Sequence, residues 1–373
     1  MYDPRIDKLA DVLVNYSVGV RRGQLVRISG SATCLPLVES VYERVLRAGG
    51  HPMVRLAHEP LEELFVKLAS DEQIDYVNPI QKHEVETIDA TIGIWAEENT
   101  KALSNVDAKR LARSQSARKP VFEVFMKRAA EGSLKWVGTQ YPTQACAQDA
   151  EMSQREYADF VFGAGLLAEA DPVAAWKKLS EKQQRLVDYL TGKSEMRVVA
   201  ANGTDIRMGV SGRRWINCDG HENFPDGEVF TGPILDSVNG RIRFSFPAVH
   251  LGREVVDAEL VFRDGRVVDA RASKGQEFLF EMLDMDAGSR LLGECAIGTN
   301  YGIKRYTRNT LFDEKIGGTV HVALGAGYPE TGNTNQSGLH WDMVVDLRSG
   351  GRIDIDGQTL SENGRFLIEG LPG

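Results

Sequence analysis

Cysteine is scarce in this chain, and its scarcity excludes whole classes of protein. The 373 residues contain four, Cys34, Cys146, Cys218 and Cys295, widely separated and without a CxxC pair. That rules out a thiolate zinc ribbon and favours reduced, buried thiols over a disulfide scaffold. Basic charge is short as well. Lys and Arg number 44 against 53 Asp and Glu, giving a formal charge of -9 and a pI near 5.4. A nucleic acid or an anionic membrane would demand the opposite sign. No apolar run reaches the ~18–20 residues that span a bilayer. The opening stretch, MYDPRIDKLADVLVNY, interleaves charged and apolar residues and has no signal-peptide core. A cytoplasmic protein is expected.

Several catalytic signatures are missing too. There is no HExxH, so the helical zinc-protease arrangement is out. No serine lies in GxSxG, which disfavours an α/β-hydrolase nucleophile. GKS at 192–194 lacks the upstream glycine of a phosphate-cradling loop, and no GxGxxG follows a strand in the first half.

What is present reads as two domains, because single cores stop growing at roughly 250–300 residues. Residues 5–17 place Ile6, Leu9, Val12, Leu13 and Tyr16 on one helical face. Strand patterns follow at 24–30, 52–58, 89–97 and 134–142, separated by helix-length segments. That alternation predicts a parallel sheet covered by helices. Helical patterns continue to about residue 190, and TGKSE (191–195) reads as a hinge. Beyond it the texture turns strand-rich, with NG and SG turn signals and one helix at 277–289. The expectation is an α/β domain over 1–190 with a parallel sheet. An α+β catalytic domain over 191–373 should hold a mixed sheet.

The chemistry concentrates in that second half. Glu228 lies in PDGEVFTGP, Glu294 in LGECAIGTN, His321 in GGTVHVALG, and His340 with Asp342 in SGLHWDM. In a strand, positions i and i+2 share a face, so His340 and Asp342 project together while Trp341 points to the opposite layer. One nitrogen and one oxygen ligand are thereby offered to the same ion. Alone, HxD is more often a hydrogen-bonded surface pair, and a histidine flanked by valines more often a satisfied core residue. Glu228 alone reads as a turn acid. Glu294 sits among Leu291, Leu292, Ala296 and Ile297, where a carboxylate needs a cation or several donors. Together the five residues make a stronger case. Three carboxylates and two neutral imidazoles suit two divalent cations, whose charge makes such crowding tolerable. Cys295, next to Glu294, reads as a small buried residue facing the other way.

PDGEVFTGP, LGECAIGTNYGI, TLFDEKIGGTVHVALGAGYPETGNTNQSG and LHWDMVVDL, taken in order, resemble the metal-binding segments of the aminopeptidase T, aminopeptidase S and PepS family of dinuclear metallo-aminopeptidases. A weaker similarity extends over the whole chain, including LVNYSVGVRRGQLVRI. The resemblance implies metal ligands at Glu228, Glu294, His321, His340 and Asp342, and a catalytic tyrosine at Tyr328 in GAGYPE. It further implies two divalent ions per chain (zinc, cobalt or manganese), peptide substrates with a free N-terminus, and a homodimer. Glu228 or Glu294 would also move the proton to the leaving amine.

Two other readings stand beside it. His321, His340 and Asp342 would satisfy the facial triad of a mononuclear non-haem iron ring-cleaving dioxygenase of the dihydroxypyridine type, which needs neither glutamate. A non-enzymatic, metal-stabilised binding protein is the third.

Overall fold

The computed structural model describes residues 3–373. The chain forms two compact units. The first runs up to Val173 and takes in Gly220–Phe224; the second comprises Ala174–Asp219 and Pro225–Gly373.

The first unit is built on a parallel sheet, as the alternating pattern predicts. Its strands β1 (Leu25–Ser31), β2 (His51–Ala57), β3 (Ala90–Trp95) and β4 (Lys135–Gln140) lie in the order β2-β1-β3-β4, with the short strand Asn223–Phe224 beside β4. Every pairing is parallel, which forces helical crossovers between strands. The helix Leu35–Arg47 shows the logic. Leu37, Val38, Val41 and Val45 recur on one buried face, and Gly49, at φ 80°, supplies the left-handed turn that ends it. The expected helix at 5–17 is α-helical over Arg5–Val12 and widens to a π-turn over Leu13–Ser17. Ile6, Leu9, Val12, Leu13 and Tyr16 are all buried. Among the described residues, no helix is long and apolar enough to cross a membrane.

The second unit is strand-rich, and here the expected mixed sheet gives way to two antiparallel ones. Eight strands form the larger sheet, from Arg266–Arg271 at one edge to Arg365–Phe366 at the other. The smaller sheet has five strands: β5 (Ile216–Cys218), β6 (Glu228–Thr231), β7 (Leu292–Gly298), β8 (Thr319–Gly325) and β9 (His340–Asp346), in the order β9-β8-β7-β6-β5. Its pairings are all antiparallel. The reason lies in the connections. Tight turns at Asp264-Gly265 and Asp356-Gly357 reverse the chain within the larger sheet; no helix carries it over to a parallel neighbour.

One face of the smaller sheet supplies the core between the two. Cys295, Ile297, Val320, Val322, Leu324, Trp341, Met343 and Val345 join one cluster with Met196, Ile206, Met208, Leu260 and Ile353 of the larger sheet. That leaves the other face for something else.

Candidate metal centre

Strand periodicity sorts the side chains. With Val320, Val322 and Leu324 in the core, His321, Ala323 and Gly325 face the opposite way. On β9 the same alternation turns His340, Asp342 and Val344 away from Trp341, Met343 and Val345. Cross-strand register then assembles the site. Ala296 pairs with His321 and Glu294 with Ala323. Ala323 pairs with Asp342 and Gly325 with His340, and Gly298 pairs with Glu228. All five predicted ligands therefore stand on one face of one sheet. Each has a glycine or alanine directly across one ladder; across the other, His321 faces Val344 and Glu228 faces Cys218.

Glu294 reaches this face by an irregularity. The β7–β8 register slips between Leu292 and Glu294, so Leu292 enters the core while Glu294, two residues on, faces the site. An unbroken strand would have put both on the same side. Gly293 permits the bulge, because a Cβ there would lie 2.0 Å from the Ala326 carbonyl oxygen. Gly227 does the same for Glu228. It has φ 122°, and a Cβ would lie 2.6 Å from Asn300 Cβ. Gln183, fully buried, donates to the Cys218 and Glu228 carbonyls and ties β5 and β6 down.

The imidazoles are oriented by backbone. His321 Nδ1 lies 2.9 Å from the Glu314 carbonyl, and His340 Nδ1 lies 3.0 Å from that of Ala326. A carbonyl only accepts, so both Nδ1 atoms donate, which leaves each Nε2 facing the site as the nitrogen a cation would take. His321 Nε2 is 3.3 Å from Glu294 Oε1 and 3.8 Å from Asp342 Oδ1. His340 Nε2 is 3.5 Å from both Glu294 Oε2 and Asp342 Oδ1. The first is a long hydrogen bond and the others are longer still; all suit atoms that would share a cation. Glu228 Oε2 and Asp342 Oδ1 are buried with no hydrogen-bond partner, a costly state unless a cation serves them.

The electrostatics agree. Burial pushes Glu228 well above the usual carboxylate range, and only partly do Lys315 and His321 offset it. Burial pulls His321 down, but Glu294, Glu228 and Asp342 outweigh it and hold the imidazole up at about 10. His340, opposed by burial in the same way, is held at about 9 by Asp342 and Glu294. The site is starved of positive charge.

Three further groups were not singled out from the sequence. Lys315 is completely buried. Its ammonium contacts Glu314 and lies 3.7 Å from Glu228 Oε1 and 3.9 Å from Asp226 Oδ1. Burial opposes its charge, yet the three carboxylates hold its pKa well above the ordinary lysine value. Cys218, Asp226 and Glu228 are close enough to bind an ion themselves, but the Lys315 ammonium already serves two of the three.

Tyr328 lies just past β8, at the entrance to the short turn Pro329–Thr331. Its ring meets Phe230 and His340 edge-on, with centroids 5.3 Å away in each case. The loop that carries it is clamped from below. Asn333 donates to the Pro233 and Leu292 carbonyls, Asn335 to those of Gly288 and Gly325, and Ser337 to Asp286. Cys295 is buried 3.8 Å from the Met196 sulfur on the core side, away from its neighbour Glu294.

A sheet face that aims three carboxylates and two imidazoles at common points, with orphaned oxygens among them, has the donor set of a metal-dependent enzyme. The family model described as thermophilic metalloprotease (M29) matches residues 2–367, and the chain belongs to that family. Aminopeptidase 2 of Geobacillus stearothermophilus is 28% identical, over 96% of this chain and 95% of its own. The solved structure of wild-type AmpT from Thermus thermophilus shares the fold, with a TM-score of 0.85 at 24% identity over 98% of this chain and 99% of that one. A 2,5-dihydroxypyridine dioxygenase from Pseudomonas putida KT2440 matches at a TM-score of 0.60 and 11% identity, over 98% of each chain. That likeness carries the fold and nothing more. Membership of a protease family removes the non-enzymatic reading.

Proposed function

We infer that the chain is a metallo-aminopeptidase that releases the N-terminal residue of a peptide at a pair of divalent ions. One observation carries this. The five expected ligands divide between two groups, Glu228–Glu294–His321 and Glu294–His340–Asp342, each within 4.8 Å, and Glu294 belongs to both; His321 and Asp342 also group with Glu314. Its Oε1 faces His321 and its Oε2 faces His340, the arrangement of a bridging carboxylate. Charge supports the count. Lys315 is held by Asp226, Glu228 and Glu314; with Glu294 and Asp342 added, five carboxylates face one ammonium, and the remaining four negative charges would equal two dications. An iron triad would leave Glu228 and Glu294 buried without purpose. The nitrogen and oxygen donors suit zinc, cobalt or manganese.

Ions held there would supply Lewis acidity and a water whose pKa falls toward neutrality. The chain's own residues do the rest. Desolvation of the hydroxyl, reinforced by Glu294 and Asp342, raises the Tyr328 phenol above its ordinary value, although the residue keeps 39% of its surface exposed. It therefore stays protonated at neutral pH and acts as a hydrogen-bond donor to the oxyanion that develops on the scissile carbonyl. Glu228 and Glu294 are the carboxylates placed to pass a proton to the leaving amine. The test is direct. Chelator-treated protein should release no p-nitroaniline from leucyl-p-nitroanilide, and activity should return fully at about two equivalents of zinc, cobalt or manganese, the number the bridged pair requires. Full recovery at one equivalent, or with iron alone, would count against the dinuclear site.

Metal uptake should also depend on pH with a definite sign. His321 and His340 hold protons until about 10 and about 9, so a cation must displace them at neutral pH. Apparent affinity should tighten as pH rises from about 6 and level off above those values. Calorimetric titration in buffers of different ionisation heat should register roughly two protons released per loaded site at pH 7. A pH-independent affinity would contradict it.

A further inference from the structure

Next to the metal centre, where β9 forms the sheet edge, lies a small recess of about 20 Å³. It is lined by Glu314 and Asp342 together with Phe246, Pro247, Val249 and Tyr306. The aromatic part of that lining is braced. The Phe246 and Tyr306 rings stack at 4.9 Å and 5°, and the Tyr306 hydroxyl donates to the Pro247 carbonyl at 2.6 Å. The volume admits about one water-sized group. It does not admit another residue of peptide.

Two other charged groups border the recess. Asp313 is buried and already occupied, accepting hydrogen bonds from the Thr307 amide at 2.7 Å and hydroxyl at 2.9 Å. Arg308 is drawn to Glu254 at 3.2 Å. Glu314 is different. It lies within ligand reach of both His321 and Asp342, yet belongs to neither group that shares Glu294. The ammonium of Lys315 contacts its Oε1. Glu314 is a carboxylate beside the metal centre, paired with Lys315 and given no substrate contact so far.

We propose that this recess receives the α-ammonium group of the peptide substrate, with Glu314 as its anchoring carboxylate. The braced Phe246–Tyr306 wall is what confines cleavage to the chain end. The proposal rests on the aminopeptidase reading. A peptide whose N-terminus is extended or acylated would drive a carbonyl into the Glu314 and Asp342 oxygens and atoms into the aromatic wall. A free ammonium fits both the space and the charge.

The test uses the full chain loaded with zinc and three chromogenic substrates: leucyl-p-nitroanilide, its des-amino analogue and its N-acetyl derivative. Wild type should prefer the free amine by at least about 100-fold in kcat/KM, in line with charge-assisted recognition of a group the site is built to pair. Glu314→Gln should keep its full metal content, raise KM for the leucyl substrate and cut that preference below about 10-fold. Phe246→Ala, which opens the wall and spares the carboxylate, should raise kcat/KM for the N-acetyl substrate while leaving the des-amino penalty intact. A preference unchanged in metal-replete Glu314→Gln overturns the assignment, and so does loss of a metal ion from that variant, which would make Glu314 a ligand. Wild-type protein that holds metal yet cleaves none of the three overturns the aminopeptidase reading itself.

Discussion

Glu294→Gln is expected to lose both metal ions and, with them, on the order of 10³-fold or more in kcat/KM. A neutral amide cannot bridge two cations. The several kcal/mol of transition-state charge stabilisation that bound metal supplies disappears at 1.36 kcal/mol per decade. Because Glu294 stands in both ligand groups, the loss should be joint, whereas replacing Asp342 should spare the ion held by Glu228 and His321. Elemental analysis of purified protein, alongside p-nitroaniline release, checks both parts. A stability signature accompanies it. In chelator the variant should melt below chelator-treated wild type, because the His321 and His340 charges lose a carboxylate that holds them. In metal the gap should widen, since ligand binding stabilises only the chain that binds. Two metals retained by Glu294→Gln would remove the bridge.

The second large effect is expected at Tyr328, with the opposite metal signature. Tyr328→Phe should keep both ions, bind substrate with little change in KM, and lower kcat by roughly 10²–10³-fold, the usual cost of one oxyanion donor. The ring itself should stay in place, since Phe preserves the edge-on contacts with Phe230 and His340. Full activity in Tyr328→Phe would end the assignment of the phenol as donor. Reduced metal content would mean that the hydroxyl serves the ions instead.

The parallel sheet and its helices were legible from the alternation of apolar strands with helix-length segments, because a buried parallel strand reads as a short apolar run. The metal-centre candidates were legible for a related reason. Glu294 lies among apolar residues where a carboxylate needs a cation or several donors, HxD on a strand must present both groups to one side, and His321, weak alone, gained weight only beside them. Lys315 and Glu314 were not legible. In TLFDEKIGG the run DEK looks like a solvated turn, and nothing local distinguishes a lysine with no exposed surface from one in water. Asp226 was hidden in the same way by PDG, which reads as an ordinary surface turn. The mixed sheet expected for the second half failed because strand spacing does not encode strand direction; the connections do.

By itself the sequence determined which residues were out of place in their strands, and therefore which chemistry to expect. Period-two alternation and the cost of burying charge are local properties. Only the tertiary structure decided that those residues meet. The register that lines up Glu294, Ala323 and Asp342, the bulge at Gly293 that turns Glu294 away from the core, and the buried ammonium beside Glu228 all depend on strands distant in sequence being held side by side. Pairing energy across a sheet depends on partners that no local pattern names.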